Sequence, residues 1–170
     1  MRDGLAAAVQ IAAGLLIVSG VSKVRFPLGT AKALLAVGLP HGFALTRAIG
    51  LAEAIVGASA LSLGGTGPYV LLACAYTAFA AFLSYALIRR IPLASCGCLG
   101  SSDRAPTWAH VAVNGVACGA ACLAVAVDSP SLREAAVSLG LLAPTFISGL
   151  AASVGLLAFL LAHGLTRTSE

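Results

Sequence analysis

The clearest single element of the chain is the run GPYVLLACAYTAFAAFLSYALIRR, residues 67–90. Between the Gly-Pro pair that opens it and the two arginines that close it, residues 69–88 include no charged side chain. An α-helix needs about 20 apolar residues to cross the hydrocarbon core of a bilayer. The run therefore predicts a membrane-spanning helix from Tyr69 to Ile88, and the same test can be applied to the rest of the chain.

The composition of the whole chain favours an integral membrane protein. Of its 170 residues, 59% are hydrophobic and 9% are charged, and the mean hydropathy is +1.01. A soluble domain carries about 25% charged residues, so this chain lacks a surface suited to water. The net charge of +4 is small, and basic residues in a membrane protein set topology rather than bind nucleic acid. We predict a single transmembrane domain over residues 1–170.

Further segments approach the length of a span, and their expected bounds are Leu5–Ser22, Ala44–Leu63, Thr107–Val127 and Pro144–His163. The stretch Leu28–Leu39 is apolar but too short to cross, and prolines bracket it. We expect it to form a short helix at the membrane interface. The predicted class is thus an all-α membrane protein, with a four-helix transmembrane bundle over about residues 5–127 and a fifth, C-terminal transmembrane helix.

Basic residues in the connections predict the orientation of the helices. The second connection holds none and the fourth holds only Arg133, whereas the first and third hold Lys23, Arg25, Lys32, Arg47, Arg89, Arg90 and Arg104. The positive-inside rule places those two basic connections in the cytoplasm. With five spans the N-terminus then lies outside. The expected location is a bacterial-type cytoplasmic (inner) membrane, crossed several times.

Two cysteines flank one glycine in the third connection, Cys96-Gly97-Cys98. A lone cysteine often serves as a small buried hydrophobic residue, but two thiols this close in a polar loop can cycle between dithiol and disulfide. Strain makes such a disulfide easier to reduce, which suits a catalyst that passes disulfides on. The start of the next helix, with Arg104 and His110, can help to lower a thiol pKa, although Arg104 is more simply a membrane-flanking charge.

Three more cysteines lie inside predicted spans, at Cys74, Cys118 and Cys122. Cys118 and Cys122 are four residues apart and share a helix face. Counted at 1.5 Å per residue, Cys74 is about 24 Å and Cys122 about 22 Å from the cysteine-loop end of their helices, so the two thiols can meet. Two interpretations stay open: packing by small residues, and a second, buried dithiol.

His110 and Asn114 are also four residues apart, on nearly the same helix face as Cys118. Polar groups inside a membrane are costly and usually face the interior of the bundle. One interpretation is an interior polar stripe below the thiol loop, able to hold a cofactor headgroup or carry a proton. The other places His110 at the interface without a further role.

Glu53 lies inside the second span, where a carboxylate is a functional candidate. Lys23 or Arg47 could neutralise it, and a structural ion pair and a catalytic role are both open. Gly50, Glu53 and Gly57 share one helix face, which predicts a close helix contact there.

Several of these motifs resemble the MauE branch of the DoxX-like membrane proteins. They are Ser95-Cys96-Gly97-Cys98-Leu99-Gly100 with Trp108 and Asn114, Gly20 with Lys23, and Arg47-x-x-Gly50-x-x-Glu53-x-x-x-Gly57. The resemblance implies a four-helix membrane bundle associated with disulfide formation in exported proteins, alongside a thioredoxin-like partner. The layout also resembles vitamin K epoxide reductase, although the spacing here is Cys-x-Cys. The family role favours cysteines facing the exoplasm and the basic residues favour the cytoplasm, so both sides stay open.

We therefore predict a membrane thiol–disulfide oxidoreductase in which Cys96 and Cys98 are the redox couple. Its expected partners are a thioredoxin-like protein and an exported client protein, and a membrane quinone is a candidate cofactor. The supporting residues would be Cys74, Cys118, Cys122, His110, Asn114, Glu53, Lys23 and Arg47. One alternative is a soft-metal (Cu or Zn) binding or transport protein with thiolate and His110 ligands. The other is a non-catalytic membrane scaffold subunit.

Overall fold

The computed structural model describes residues 2–93, 105–140 and 143–163, and all regular secondary structure in these ranges is helical. The helices are α1 (Arg2–Arg25), α2 (Leu28–Ala36), α3 (Phe43–Ser62), α4 (Thr66–Ile88), α5 (Trp108–Ala126), α6 (Leu132–Leu139) and α7 (Ala143–His163). Four of them, α1, α3, α4 and α5, are long and apolar enough to cross a membrane. The predicted all-α class with four spans ahead of residue 128 is therefore confirmed.

α2 ends at Ala36, earlier than the sequence predicted. Gly38 has a φ of +75°, and its N–H donates to the Leu35 carbonyl at 3.0 Å. The Leu39 N–H donates to the Leu34 carbonyl, also at 3.0 Å. Paired bonds of this kind form a Schellman ending, in which a left-handed glycine stops the helix.

α6 has no counterpart in the prediction, because its eight residues are too few to span a membrane. Its start is fixed by Ser131 and Glu134. The Glu134 N–H donates to Ser131 Oγ at 3.2 Å, and the Ser131 N–H donates to Glu134 Oε2 at 2.8 Å. Ser-x-x-Glu is the sequence signature of such a capping box, so this helix was readable from the sequence.

α7 packs against α1. A Cβ added to Gly14 of α1 would lie 2.8 Å from Val154 Cγ2 of α7. The apolar stretch that the structure describes in α7, Ile147–Phe159, is shorter than the four spanning candidates. The predicted helix is therefore present, and its crossing of the membrane stays a prediction.

α1 and α3 approach each other with their backbones in contact. A Cβ added to Gly50 would lie 2.6 Å from the Gly20 carbonyl oxygen, and one added to Gly57 would lie 2.6 Å from the Ala13 carbonyl oxygen. A Cβ on Gly20 would in turn overlap the Gly50 carbonyl oxygen. Small residues allow such close helix pairs in membrane proteins, so the contact expected on the face of α3 that includes Gly50 and Gly57 is present.

The remaining core lies between α1, α4 and α5. The Tyr76 hydroxyl of α4 donates to the Ala12 carbonyl of α1 at 2.6 Å. α5 turns one continuous face inward, made of His110, Asn114, Ala117, Ala121 and Ala124. The alanines of this face let α5 pack closely against its neighbours.

A small apolar cluster fixes the position of α2. Ala33 of α2, Ala86 near the end of α4 and Leu93 beyond it are all buried and pack together. We call this region the α2 end of the bundle; it contains the C-terminal ends of α1 and α4 and the start of α3. Leu93 is also the last residue described before the segment 94–104. The chain therefore enters the predicted cysteine loop from the α2 end.

Candidate functional site

A buried ion pair joins α1 to α3 near the α2 end. Lys23 Nζ lies 2.7 Å from Glu53 Oε2, with the two side chains only 3% and 6% exposed. The Ser19 hydroxyl, one turn before Lys23, donates to Glu53 Oε2 at 3.1 Å. Lys23 Nζ also donates to Ser19 Oγ at 2.6 Å. The three side chains thus form a closed hydrogen-bonded triangle between two membrane-spanning helices.

The glycine contact between α1 and α3 explains why these charges meet. Gly20 lies between Ser19 and Lys23, and Gly50 lies three residues before Glu53. Backbones this close bury the two charged side chains, and buried charges are stabilised when they pair with each other. Arg47, the alternative partner for Glu53, is exposed near the start of α3. The structure therefore pairs Glu53 with Lys23.

An aromatic ring from α4 completes the surroundings of the lysine. Lys23 Nζ lies 4.9 Å from the centroid of the Phe79 ring. This distance is within the range of a cation–π interaction, which strengthens where water is excluded. The ammonium group is therefore held by α1, α3 and α4 together.

One oxygen of the Glu53 carboxylate stays without a hydrogen bond. Within the part of the chain that the structure describes, Oε1 is buried and has no partner. An unmade bond to a buried polar atom costs about 1–3 kcal/mol, and more for a charged group. Native proteins retain few such atoms, and each of them calls for an explanation such as strain, a catalytic role, or a bound water or ion.

A cavity of about 260 Å³ lies beside the ion pair. Its polar lining residues are Lys23, Glu53 and Thr30. The apolar lining residues come from α2, α3, α4 and the turn after α2, and they are Ala33, Leu34, Leu39, Ile49, Ala78, Phe79, Phe82 and Leu83. The site therefore combines one charged, hydrogen-bonding patch with apolar and aromatic walls.

The predicted redox couple, Cys96 and Cys98, lies outside the residues that the structure describes, as does Arg104. The chain is described up to Leu93 and again from Ala105. Leu93 packs against Ala33, which also lines the cavity. Leu93, the last described residue before the cysteine pair, therefore packs against the wall of the cavity.

His110 and Asn114 are both buried on the inner face of α5. The Thr107 N–H donates to His110 Nδ1 at 3.2 Å, and Thr107 Oγ1 lies 2.9 Å from the same nitrogen. The Asn114 side-chain amide donates to the His110 carbonyl at 2.7 Å. These bonds stay within α5 and its first turn, so His110 caps the helix that follows the cysteine loop.

The three helix cysteines lie where α4 meets α5. Cys118 Sγ is 3.2 Å from Thr77 Oγ1 of α4. The Cys122 thiol is close enough to Cys118 and Cys74 to interact electrostatically with both. Cys74 and Cys122 are exposed and Cys118 is half-buried. On α5 the fully buried face consists of His110, Asn114, Ala117, Ala121 and Ala124 and includes neither cysteine. Cys74 and Cys122 therefore lie at the outer surface, Cys118 packs partly against the core, and the three thiols do not form a fully buried dithiol.

The metal alternative finds no support in the described ranges, which contain no group of three or more His, Cys, Asp or Glu side chains placed to hold an ion. Such a site would depend on Cys96 and Cys98.

Sequence analysis did not anticipate two contributors to the site, Ser19 and Phe79. Ser19 was readable, since it precedes Lys23 by four residues and so shares its helix face. Phe79 gave no signal, because aromatic residues are common in spans and its place over Lys23 depends on how α4 packs against α1.

The comparison with protein families matches residues 3–127 to the family described as Methylamine utilisation protein MauE. The match extends from α1 through α5 and includes the ion pair, the cavity and the Cys96-Gly97-Cys98 run. No curated protein and no solved structure matches the chain. Four helices of spanning length together with this match identify a multi-pass integral membrane protein. Because the match covers most of its length, the chain belongs to the MauE family.

Proposed function

We propose that this protein is a membrane thiol–disulfide oxidoreductase whose redox couple is Cys96 and Cys98. It would exchange with a thioredoxin-like partner and support disulfide formation or electron transfer for exported proteins. The observation that carries the proposal is the position of the pair in the family-matched region, three residues beyond Leu93. Three extended residues reach at most about 10 Å, which supports a thiol site at the α2 end.

The exchange needs no group beyond the two thiols and the partner. The thiolate of one loop cysteine attacks a disulfide sulfur of the partner, whose other sulfur leaves as a thiolate and takes up a proton. The second loop cysteine then attacks the mixed disulfide, closes the Cys96–Cys98 ring and releases the partner as a dithiol. Two electrons pass from the loop to the partner, and the reverse sequence oxidises a client.

Repeated turnover in the oxidising direction needs a two-electron acceptor. A lipid-soluble quinone, which accepts two electrons and two protons, is the class that we propose for this step. The protein residues would hold the dithiol at the membrane surface, with α5 capped by His110 directly after the loop.

The test is the double variant Cys96→Ser/Cys98→Ser, purified and placed in lipid nanodiscs. We expect it to lose exchange with a disulfide-bonded thioredoxin, followed by thioredoxin fluorescence, while its helicity and elution volume stay unchanged. The matched control, Cys74→Ser/Cys118→Ser/Cys122→Ser, should exchange as the unmodified protein does, because those thiols lie on the helices and not in the loop.

The two single variants then identify the attacking cysteine. The single variant that retains the attacking cysteine lacks the second cysteine, so it will accumulate a mixed disulfide with thioredoxin that is visible on a non-reducing gel. Exchange at the wild-type rate by the double variant would overturn the proposal, and so would a double variant that fails to insert into the membrane.

A further inference from the structure

We infer that the cavity beside Lys23 and Glu53 binds a neutral, lipid-soluble molecule with a flat ring and a hydroxyl group, of the phenol or hydroquinone class. Its hydroxyl would donate a hydrogen bond to Glu53 Oε1, which neighbouring atoms bury in this structure and which would turn toward the cavity when the ligand binds. The inference does not rest on Cys96 and Cys98, so it can fail or succeed independently of the proposed oxidoreductase function.

The unpartnered carboxylate oxygen determines the polarity of the ligand. Glu53 Oε2 accepts from both Lys23 and Ser19, whereas Oε1 accepts from no group in the described ranges. An ionised carboxylate only accepts hydrogen bonds, so the missing partner is a donor. Lys23 already balances the charge of Glu53, and a second cation would leave an uncompensated charge within the membrane. The donor is therefore neutral.

The walls of the cavity determine the shape of the ligand. An apolar cavity of about 150 Å³ can hold benzene, so a volume of about 260 Å³ accommodates one substituted ring. Phe79 and Phe82 both line it, and aromatic faces and edges favour a flat ring over a branched chain. Water alone is a poor occupant, because a buried water needs 2–4 polar partners and this lining is mostly apolar.

The exposed members of the lining indicate how the ligand enters. Leu39, after α2, is 46% exposed, and Ala78 of α4 is also exposed. Leu34 of α2, which also lines the cavity, is half-buried. The cavity thus opens on the outer surface of the bundle between α2 and α4, and α4 is a membrane-spanning candidate. A molecule dissolved in lipid can reach it without crossing water.

The test uses two probes that differ only in the donor, 4-(trifluoromethyl)phenol and its methyl ether 4-(trifluoromethyl)anisole. Binding to the protein in nanodiscs is followed by ¹⁹F NMR, with partition into empty nanodiscs subtracted. We expect saturable binding of the phenol, and binding of the ether that is about tenfold weaker or more, since it leaves Glu53 Oε1 without a donor. Equal binding of the two probes would overturn the inference, and so would the absence of saturable phenol binding.

Variants that fill the cavity locate the binding. Ala78→Leu should abolish saturable phenol binding, whereas Ala81→Leu should leave it unchanged, because Ala81 is exposed on the same helix but does not line the cavity. Leu34→Trp fills the cavity from the α2 side. It replaces Ala78→Leu in the experiment if the Ala78→Leu protein does not elute as a folded protein. Binding that survives in a folded filling variant would overturn the assignment.

Discussion

Lys23 and Glu53 neutralise each other's charge inside the bundle. Lys23 Nζ and Glu53 Oε2 are 2.7 Å apart, and both side chains are almost fully buried. The Ser19 hydroxyl donates a hydrogen bond to Glu53 and accepts one from Lys23. Removing one partner from such a pair typically costs far more than replacing both by apolar groups of similar volume. This asymmetry distinguishes a buried pair from an exposed one.

We expect Lys23→Met to lower the free energy of unfolding by about 3–5 kcal/mol, because Glu53 is left as an uncompensated buried charge. The double variant Lys23→Met/Glu53→Met should recover most of this loss. The measurement is unfolding by SDS in mixed micelles, followed by far-UV circular dichroism.

The matched control for that experiment is Arg47→Met, which removes an exposed basic residue from α3. Its effect should stay within about 0.5 kcal/mol. A Lys23→Met protein as stable as the Arg47→Met protein would contradict the structural role of the ion pair.

At the scale of elements, the contact between α1 and α3 depends on glycine. We expect Gly50→Ala to destabilise the protein by about 1–3 kcal/mol, because the new methyl group would press on the Gly20 carbonyl and the Lys23 Cβ. Gly115→Ala on α5, where a Cβ meets no atom within 4 Å, should be neutral or stabilising by up to about 1 kcal/mol. The same SDS titration measures both, and an equal response of the two variants would refute the close contact.

The start of α6 should respond to pH through Glu134. Hydrogen bonds from the Ser131 backbone N–H and hydroxyl lower the pKa of the Glu134 carboxyl below its usual value. A lowered pKa means that the capping contribution is fully present above the pKa of the unfolded chain and is lost as the pH falls through the folded pKa. Amide exchange of Glu134 and Ala135, corrected for the intrinsic pH dependence, should therefore quicken in acid.

Glu134→Gln is the control for the capping box, because its amide oxygen still accepts hydrogen bonds but does not titrate. Its corrected exchange should be independent of pH, and Ser131→Ala should exchange fast at every pH. A wild-type protein whose corrected exchange does not change with pH would exclude this role for Glu134.

Hydropathy and length predicted the spanning helices almost to their ends, since a long uncharged segment has few alternatives in a membrane. The same test missed α6, which is short and is set by a cap rather than by apolar length. It also could not choose between Lys23 and Arg47 as the partner of Glu53, because that choice depends on how α1 turns against α3. Nor could it show that Cys122 is exposed while Cys118 is half-buried, because two residues on one helix face can differ in what packs against them.

For the whole molecule, most exposed basic residues of the described ranges lie at the α2 end; they are Arg25, Lys32, Arg47, Arg89 and Arg90, whereas the exposed Arg133 of α6 lies at the opposite end, where Ser131 packs on Gly64. Lys23 lies at this end too, but its charge is neutralised by Glu53. The positive-inside rule therefore predicts that the α2 end faces the cytoplasm. The first and third connections then share that side, as the sequence predicted.

We expect a membrane-impermeant maleimide to label Cys96 and Cys98 only after intact cells have been permeabilised. The experiment uses a Cys74→Ala/Cys118→Ala/Cys122→Ala background, so that only the loop thiols react. A reduction step before labelling separates a disulfide from an inaccessible dithiol. Labelling of intact, unpermeabilised cells that occurs only after the reduction step would contradict the charge rule. It would place an oxidised Cys96–Cys98 pair at the exoplasmic surface.

The neutral pairing of Lys23 with Glu53 also constrains how the chain is made. A charged side chain buried within a membrane bundle needs a partner, and Lys23, in the last turn of α1, leaves the ribosome well before Glu53 of α3 exists. The charge of Lys23 is therefore neutralised only after α3 has been inserted beside α1. We therefore expect α1 to α3 to insert into the bilayer cooperatively, so that stable insertion of α1 depends on the later synthesis of α3.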